Sequence, residues 1–495
     1  MVTAYRKHRS LINSGKLPSK NKSIRLKEPH SNDLKTYVFF LFAVAILGFV
    51  IMRDIALPRP VTMSIALLGF IVLFFGSFKN PKFSILILVA YLPFSKVIVG
   101  QFGTEIVGLN LSNILMIIVA LGWFSNALAK GERVFNKSSL NPIILFFLLW
   151  GIFSLIRAKF IYGNEYDFGN FFILFKRWAA PVFLYFFALN MVKDKATFKK
   201  VLFIMALVTF IVALMAVRDY MHYGEGGSME DSRIGGVFEQ PNMLGAFFVY
   251  NMFLFLGFFL YYWRSAKYWL LLIPFAVCFR GIMVTFSRGA YLAFAFGGFM
   301  TAFFRSKALF VVTAILLIAV IATPSLMPEG IRYRMAETFG GEKLISTDLE
   351  EIKDPSAANR ILVWKGAIAM IKERPLVGFG YATFPYIIGL YAPEVSKYDA
   401  HNTYLILAAE MGIPSLVIFL IILFILIKNA AWLLKHSKDR YFKAFALGVL
   451  GGIFGLLVAN MFGSRLNTEE VSSYFWLYAG LTMAAVRMKK LKTID

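Results

Sequence analysis

The sequence is poor in cysteine, histidine and acid. Cys278 is the only cysteine in 495 residues, which excludes an intrachain disulfide and a thiolate metal site. The five histidines, at 8, 30, 222, 401 and 436, are scattered, with no His-Glu-x-x-His pair among them, so a zincin-type centre is excluded. No Gly-x-x-x-x-Gly-Lys-Ser/Thr loop occurs, which argues against direct use of ATP. Acidic side chains are sparse outside the loops, and no acidic metal cage is legible. The expected cofactor set is therefore empty and the expected activity metal-independent. Charged residues make up only 16% of the chain, where a soluble domain carries about 25%.

What is present is apolar. Hydrophobic residues reach 59%, and the mean hydropathy is +0.67. They fall in blocks of roughly 16 to 25 residues, the length that crosses a hydrocarbon core, without the short alternating segments of a β-barrel. The fold class predicted is an all-α polytopic membrane protein of about fourteen transmembrane helices (12–14). The candidate spans are 36–52, 61–77, 83–99, 111–128, 141–156, 171–192, 200–217, 243–263, 268–286, 289–304, 308–323, 402–427, 443–461 and 472–486.

The formal charge of +24 invites a nucleic-acid reading, but its placement does not. Lys and Arg concentrate in short alternate connections such as "KDKATFKK", "RSAK" and "KHSKDRYFK", the pattern of cytoplasmic loops. No nucleic-acid partner is expected, and both termini are read as cytoplasmic. Residues 1–35, too long and polar for a signal peptide, read as a basic, mostly disordered cytoplasmic tail resting on membrane lipid. The organisation expected is that tail, spans over 36–323, one large outer loop over 324–400, spans over 401–486 and a basic C-terminus, 487–495.

A loop of that length in a helical bundle is usually functional or structured. Within it, "DPSAANRILVWKGAIAMIKERP" offers Asp354 as N-cap and Pro355 at the first helical position. Ile361, Trp364, Ile368 and Ile371 then recur at helical spacing, which predicts an amphipathic helix at the outer boundary.

Some cations break the charge pattern. Arg288, in "TFSRGAYLAF", stands at the outer end of two spans joined almost without a loop, where low dielectric strengthens its hold on an anion. Arginines at span ends also snorkel to lipid phosphate, so Arg288 alone decides nothing. Arg360 opens the amphipathic helix and reads equally as a solvated face charge. Arg233 is a third candidate; Lys176, Arg177 and Arg280 lie in or beside spans. His401, in "YDAHNTYLILAAEMGIP", stands at a helix mouth where the macrodipole disfavours imidazolium, which suits a general base. Asp399 pulls the other way or orients the ring. Glu410, inside the apolar run, pairs with a buried cation or bonds backbone freed at Gly412–Pro414. Two arginines gripping a diphosphate beside a neutral imidazole suit transfer of a sugar from a polyprenyl diphosphate to a hydroxyl.

The stretches "GGVFEQPNMLGAF" (235–247), "TFSRGAYLAF" (285–294), "NRILVWKGAIAMIKERPLVGFGYATF" (359–384) and "AHNTYLILAAEMGIPSL" (400–416), in this order, resemble the O-antigen ligase and polymerase family of bacterial envelopes. The resemblance spans roughly residues 200–430. It implies a multi-helix, GT-C-like glycosyltransferase of the bacterial inner membrane with a periplasmic active site. The donor it implies is an undecaprenyl-diphosphate-linked glycan; the acceptor is lipid A–core in ligases and another lipid-linked glycan in polymerases. By position, the essential residues carry over to His401, Arg288 and Arg360. Arg233, Gln240, Asn242, Trp364, Asn402 and Tyr404 are weaker substrate-binding candidates, and Asp399 and Glu410 are supporting ones. The longer basic N-terminus and the count of fourteen spans depart from the usual pattern. A polysaccharide transporter or flippase is the rival of another class: it predicts paired helix breaks in related halves, whereas one break, near Gly412, is legible.

Overall fold

Proline and short polar side chains mark the helix starts in this chain. In the computed structural model, which describes residues 71, 74–78, 80–96, 111–223, 232–327, 331–334 and 355–491, helices α1 (Pro81–Tyr91), α3 (Asn141–Tyr162) and α7 (Pro241–Tyr262) have Pro in their first turn, where the missing N–H costs nothing. Side-chain caps open four others. Asp167 caps α4 (Phe168–Ala179), Ser306 caps α10 (Lys307–Ala322), Asn402 caps α12 (Thr403–His436) and Asp439 caps α13 (Arg440–Ala459). The remaining helices of ten or more residues are α2 (Leu111–Ala129), α5 (Val182–Met191), α6 (Lys195–Tyr223), α8 (Leu272–Val284), α9 (Arg288–Arg305), α11 (Pro355–Glu373) and α14 (Glu469–Lys490). Among the described residues there is no strand.

Eight helices among the described residues are long and apolar enough to cross a membrane: Leu111–Ala129, Asn141–Glu165, Phe168–Met191, Lys195–His222, Pro241–Tyr262, Ala266–Val284, Thr403–His436 and Arg440–Ala459. The protein is an all-α, multi-pass membrane protein. The expected spans 83–99 and 308–323 fall on shorter apolar helices. Those at 289–304 and 472–486 fall on α9 and α14, which carry more charge at their ends. The tail 1–35, the span 36–52, most of 61–77 and the cap Asp354 lie outside the described residues.

Lipid-facing and protein-facing helices separate by exposure. Along α10, Val311, Ile315, Ile318 and Ile321 are exposed, and along α3 so are Leu145, Leu149 and Ile156; surface of this kind is stable against lipid and not against water. The centre is α13, packed against α7 and α9. Its glycines bring backbones together: a Cβ on Gly448 would lie 2.7 Å from Leu254 Cα, so the helices meet without side chains between them. α14 packs on α5.

The segment before α12 has a small core of its own. Val363, Ala367 and Met370 of α11 pack with Phe379, Phe384, Ile388, Val395, Ala400, Ile406 and Ala409. The buried stripe of α11 is thus turned from the one its large residues suggest: Ile368 is 46% exposed, and Ile361, Trp364 and Ile371 are only half-buried. Small residues select the face, because Gly366 lets Ile388 approach where a Cβ would stand 2.7 Å from its Cδ1.

α12 is broken at Gly412, whose φ of 81° and ψ of 164° leave the helix. The carbonyls freed there are taken up by neighbours. Phe379 and Gly380 N–H donate to Ala409 and Glu410 O at 2.9 and 2.8 Å, and Ile413 N–H donates to Pro375 O at 2.7 Å. Trp150 Nε1 of α3 donates to Met411 O at 2.8 Å, and Arg157 donates to the Val377 and Gly378 carbonyls. Residues 375–384 thus complete the hydrogen bonding of a membrane helix, as irregular backbone inside a bundle requires. Gly412→Ala would place a side chain on the Leu376 carbonyl oxygen in a backbone region essentially closed to L residues. We expect a stability loss of about 3 kcal/mol, read as a lower unfolding midpoint in detergent; an unchanged midpoint would show that the joint carries little of the stability.

Candidate active site

His401 sits in a tight bend between the loop core and α12. Its φ of 47° is left-handed, an uncommon conformation in which histidine is nonetheless enriched, and the next residue, Asn402, caps α12 by accepting from Tyr404 and Leu405 N–H at 3.0 and 3.1 Å. The backbone before it is pinned by Trp364, whose Nε1 donates to Ala400 O at 2.9 Å. After it, Thr403 N–H donates to Asn460 O at 2.9 Å, and Thr403 Oγ1 reaches Asn460 Oδ1 and Gly463 O.

The imidazole is oriented from one side. Nδ1 lies 3.4 Å from Asp399 Oδ2, and that carboxylate accepts from Ser464 Oγ at 2.9 Å and from His401 N–H at 3.3 Å. An Nδ1–H facing Asp399 leaves Nε2 as the basic nitrogen. The His401 side chain is 43% exposed, so the ring is reachable. Burial holds its pKa below the ordinary value. Asp399 raises it, while the positive charges of Arg360 and Arg465 lower it further. Burial, with the two guanidinium groups, thus favours the neutral ring, the direction expected from its place at a helix mouth.

Arg465 was not singled out by the sequence. It lies in the connection between α13 and α14, 4% exposed, with Nη2 donating to Phe462 O at 2.8 Å and Nη1 at 3.7 Å from Met243 Sδ. Gly463 makes room for it: a Cβ there would overlap the guanidinium. Burial is the main cause that pushes its pKa down to about 10, with Arg360 and Arg233 adding to this and Asp399 opposing it. It still carries its charge at neutral pH. The signal existed, because Arg465 falls in a connection expected on the same side as Arg288.

The other sequence candidates fall into three groups. Arg233 and Arg360 share the electrostatic neighbourhood of Arg465 and Asp399. Arg233 Nη2 donates to Asn242 Oδ1 at 3.1 Å, its Nε to Thr285 O at 3.2 Å, and Ser287 Oγ donates to the same Asn242 oxygen at 2.7 Å. Arg288 follows Ser287 as the first residue of α9, and the next residue, Gly289, meets Phe462, with 2.8 Å from an added Cβ to the Phe462 Cβ. The connection 460–468 therefore gathers α7, α9, α11 and the His401 bend at one end of the bundle. Gln240 is the N-cap residue of α7 without a side-chain capping bond.

A second group has structural partners. Asn402 caps, Trp364 holds Ala400 O, and Tyr404 Oη donates to Leu457 O at 2.8 Å. Among the described residues Glu410 bonds neither a cation nor the backbone at Gly412–Pro414. Its carboxylate accepts from Ala382 and Phe384 N–H at 2.9 and 3.1 Å, where the loop backbone lies against it.

Arg280 is the third: its guanidinium is 5.3 Å from the centre of the Tyr220 ring, and it shares the electrostatic neighbourhood of Tyr291 with Arg233. A cavity of about 260 Å³ opens beside Asp399 and runs past Tyr386, Tyr381, Arg177 and Asn467 to Glu410. Among the described residues no three His, Cys, Asp or Glu side chains converge as metal ligands.

Residues 270–420, which hold Arg288, Arg360 and His401, match the model of a family described as O-Antigen ligase. A protein of Rickettsia conorii, described provisionally as a polysaccharide ligase, is 27% identical over 177 residues, 33% of this chain and 39% of the relative. One from Rickettsia felis with a similar description is 26% identical over 181 residues, again 33% and 39%. The chain thus spans about two fifths of the length of the curated relatives it matches.

Proposed function

We propose that this chain, a member of the O-antigen ligase family through residues 270–420, transfers a preassembled glycan from undecaprenyl diphosphate to a hydroxyl of an acceptor, lipid A–core or similar, at the periplasmic face of the bacterial inner membrane. We read it as GT-C-like with about fourteen spans, and residues 324–400 as the periplasmic loop. The observation that carries the reading is one ring: His401, its Nδ1 on Asp399, its basic nitrogen directed away from that carboxylate, with Arg360 and Arg465 in electrostatic reach.

In this reading His401 Nε2 takes the proton of the acceptor hydroxyl as its oxygen attacks the anomeric carbon. The new C–O bond forms as the bond from that carbon to the phosphate oxygen breaks. The leaving diphosphate keeps the electron pair, and its charge is met by Arg288 and Arg360. Asp399 steadies the imidazolium that forms, which a neutral partner would not do. Arg233 and Asn242, held together beside Ser287, are assigned to the same diphosphate in this reading. No step calls for a metal, so a chelator should leave the rate unchanged; a loss restored by one metal would overturn this.

The test is transfer by the purified chain from an undecaprenyl-diphosphate glycan. Capped lipid A–core is the result expected. Lengthened lipid-linked chains would make it a polymerase with the same donor, and passage of intact donor across vesicles without transfer would make it a transporter.

The imidazole also sets a pH signature. A depressed pKa keeps the base neutral to lower pH, so the acid limb of kcat/KM should fall below the ordinary histidine value near 6.5. Arg465→Gln removes a positive neighbour and should move that limb up, while Asp399→Asn removes a negative one and should move it down. Two variants that shift the limb in the same direction would contradict the assignment.

A further inference from the structure

At the end of the bundle opposite His401, α7 closes at Tyr262, α9 closes at Arg305 and α13 opens at Arg440. The length of α7, 22 residues, puts about 33 Å between the two ends. Between these termini lies a cleft of about 480 Å³ lined by Arg264, Arg305, Lys438, Arg440 and Lys443. No carboxylate lines it. Asp439, the acid within this run, is already engaged: it pairs with Lys195 and caps its own helix through Tyr441 N–H at 2.9 Å. Five like charges around one concavity repel each other, a cost that an anion would relieve.

Two of the cations are already positioned. Arg305 donates through Nε and Nη2 to Leu260 O at 3.3 and 3.1 Å, and its guanidinium lies 4.8 Å from the centre of the Tyr261 ring. Arg264 lies 5.6 Å from the centre of the Trp263 ring. The rest of the wall is aromatic, from Tyr261, Tyr262 and Trp263, and Trp263 is half exposed. Tyr and Trp at the ends of spanning helices sit at headgroup level, so the cleft stands where a lipid phosphate would be. We propose that this cleft binds the phosphodiester headgroup of an anionic phospholipid, a site separate from the His401 end and independent of the transfer reaction.

The test uses the full chain purified in neutral detergent and offered equal amounts of phosphatidylglycerol and phosphatidylcholine, with the retained lipid read by native mass spectrometry. Wild type should keep phosphatidylglycerol at least about tenfold over phosphatidylcholine, and 0.5 M salt should weaken that preference. Lys438 and Arg440 are exposed, so Lys438→Ala/Arg440→Ala should fold normally and lose most of the preference; the charge-reversed Lys438→Glu/Arg440→Glu should lose all of it. Equal retention of the two lipids by wild type, or an unchanged preference in both variants, would overturn the proposal. Displacement of phosphatidylglycerol by millimolar inorganic pyrophosphate would overturn it too, by assigning the cleft to a soluble anion.

Discussion

His401→Gln should lower the rate of glycan transfer about 10²- to 10⁴-fold with little change in the amount of folded protein. Glutamine keeps a polar side chain in the bend and removes only the nitrogen that takes the proton. The loss should fall on kcat, because the acceptor hydroxyl still binds and only its deprotonation in the transition state is impaired. The measurement is steady-state transfer by purified wild type and variant, with unfolding midpoints alongside. A fall of less than tenfold at an unchanged midpoint would remove the general base. Asp399→Asn should sit between the two, because Ser464 can still position an amide while the negative charge beside the imidazolium is lost.

Arg360→Lys should be nearly as damaging as Arg360→Ala, and Arg288→Ala should match it. A single donor aimed at developing charge is worth about 10²–10³ in rate, and an ammonium cannot reproduce the two parallel bonds of a guanidinium to a diphosphate. The two sites should also differ from His401 in kind: KM for the diphosphate donor should rise as kcat falls, and an uncharged acceptor should be affected less. Arg360→Lys with wild-type kinetics would show that the charge acts at long range and holds no phosphate. A combined Arg288→Ala/Arg360→Ala protein that still turned over at the wild-type rate would leave the leaving group without its proposed partners.

The helical class was legible because apolar runs of membrane length have few other uses, and α11 was legible from its proline and its spacing. The face of α11 was not. Large residues suggested one stripe, but close packing went to Gly366 and Ala367, since the loop core needed Ile388 near the helix axis. Glu410 was misjudged for a related reason. A carboxylate in an apolar run was read as seeking a cation or the nearest broken backbone, and its partners came from a loop 26 and 28 positions earlier, which spacing along a helix does not reveal. Arg288, Arg360 and His401 stood out by charge pattern and by family motif. Arg465 stood out by neither, although the charge argument applied to Arg288 covers it equally. Ser464 carries no chemistry that a sequence advertises; only its distance to Asp399 gives it a part.

The joint at Gly412 has a consequence for how amides in this region exchange with solvent. Phe379, Gly380, Ala382 and Phe384 belong by position to a connecting segment, yet each donates to α12. Their hydrogens should therefore trade for deuterium at the slow pace of the bundle, and release together with Ile413 in one cooperative opening. A protease would find the stretch equally closed.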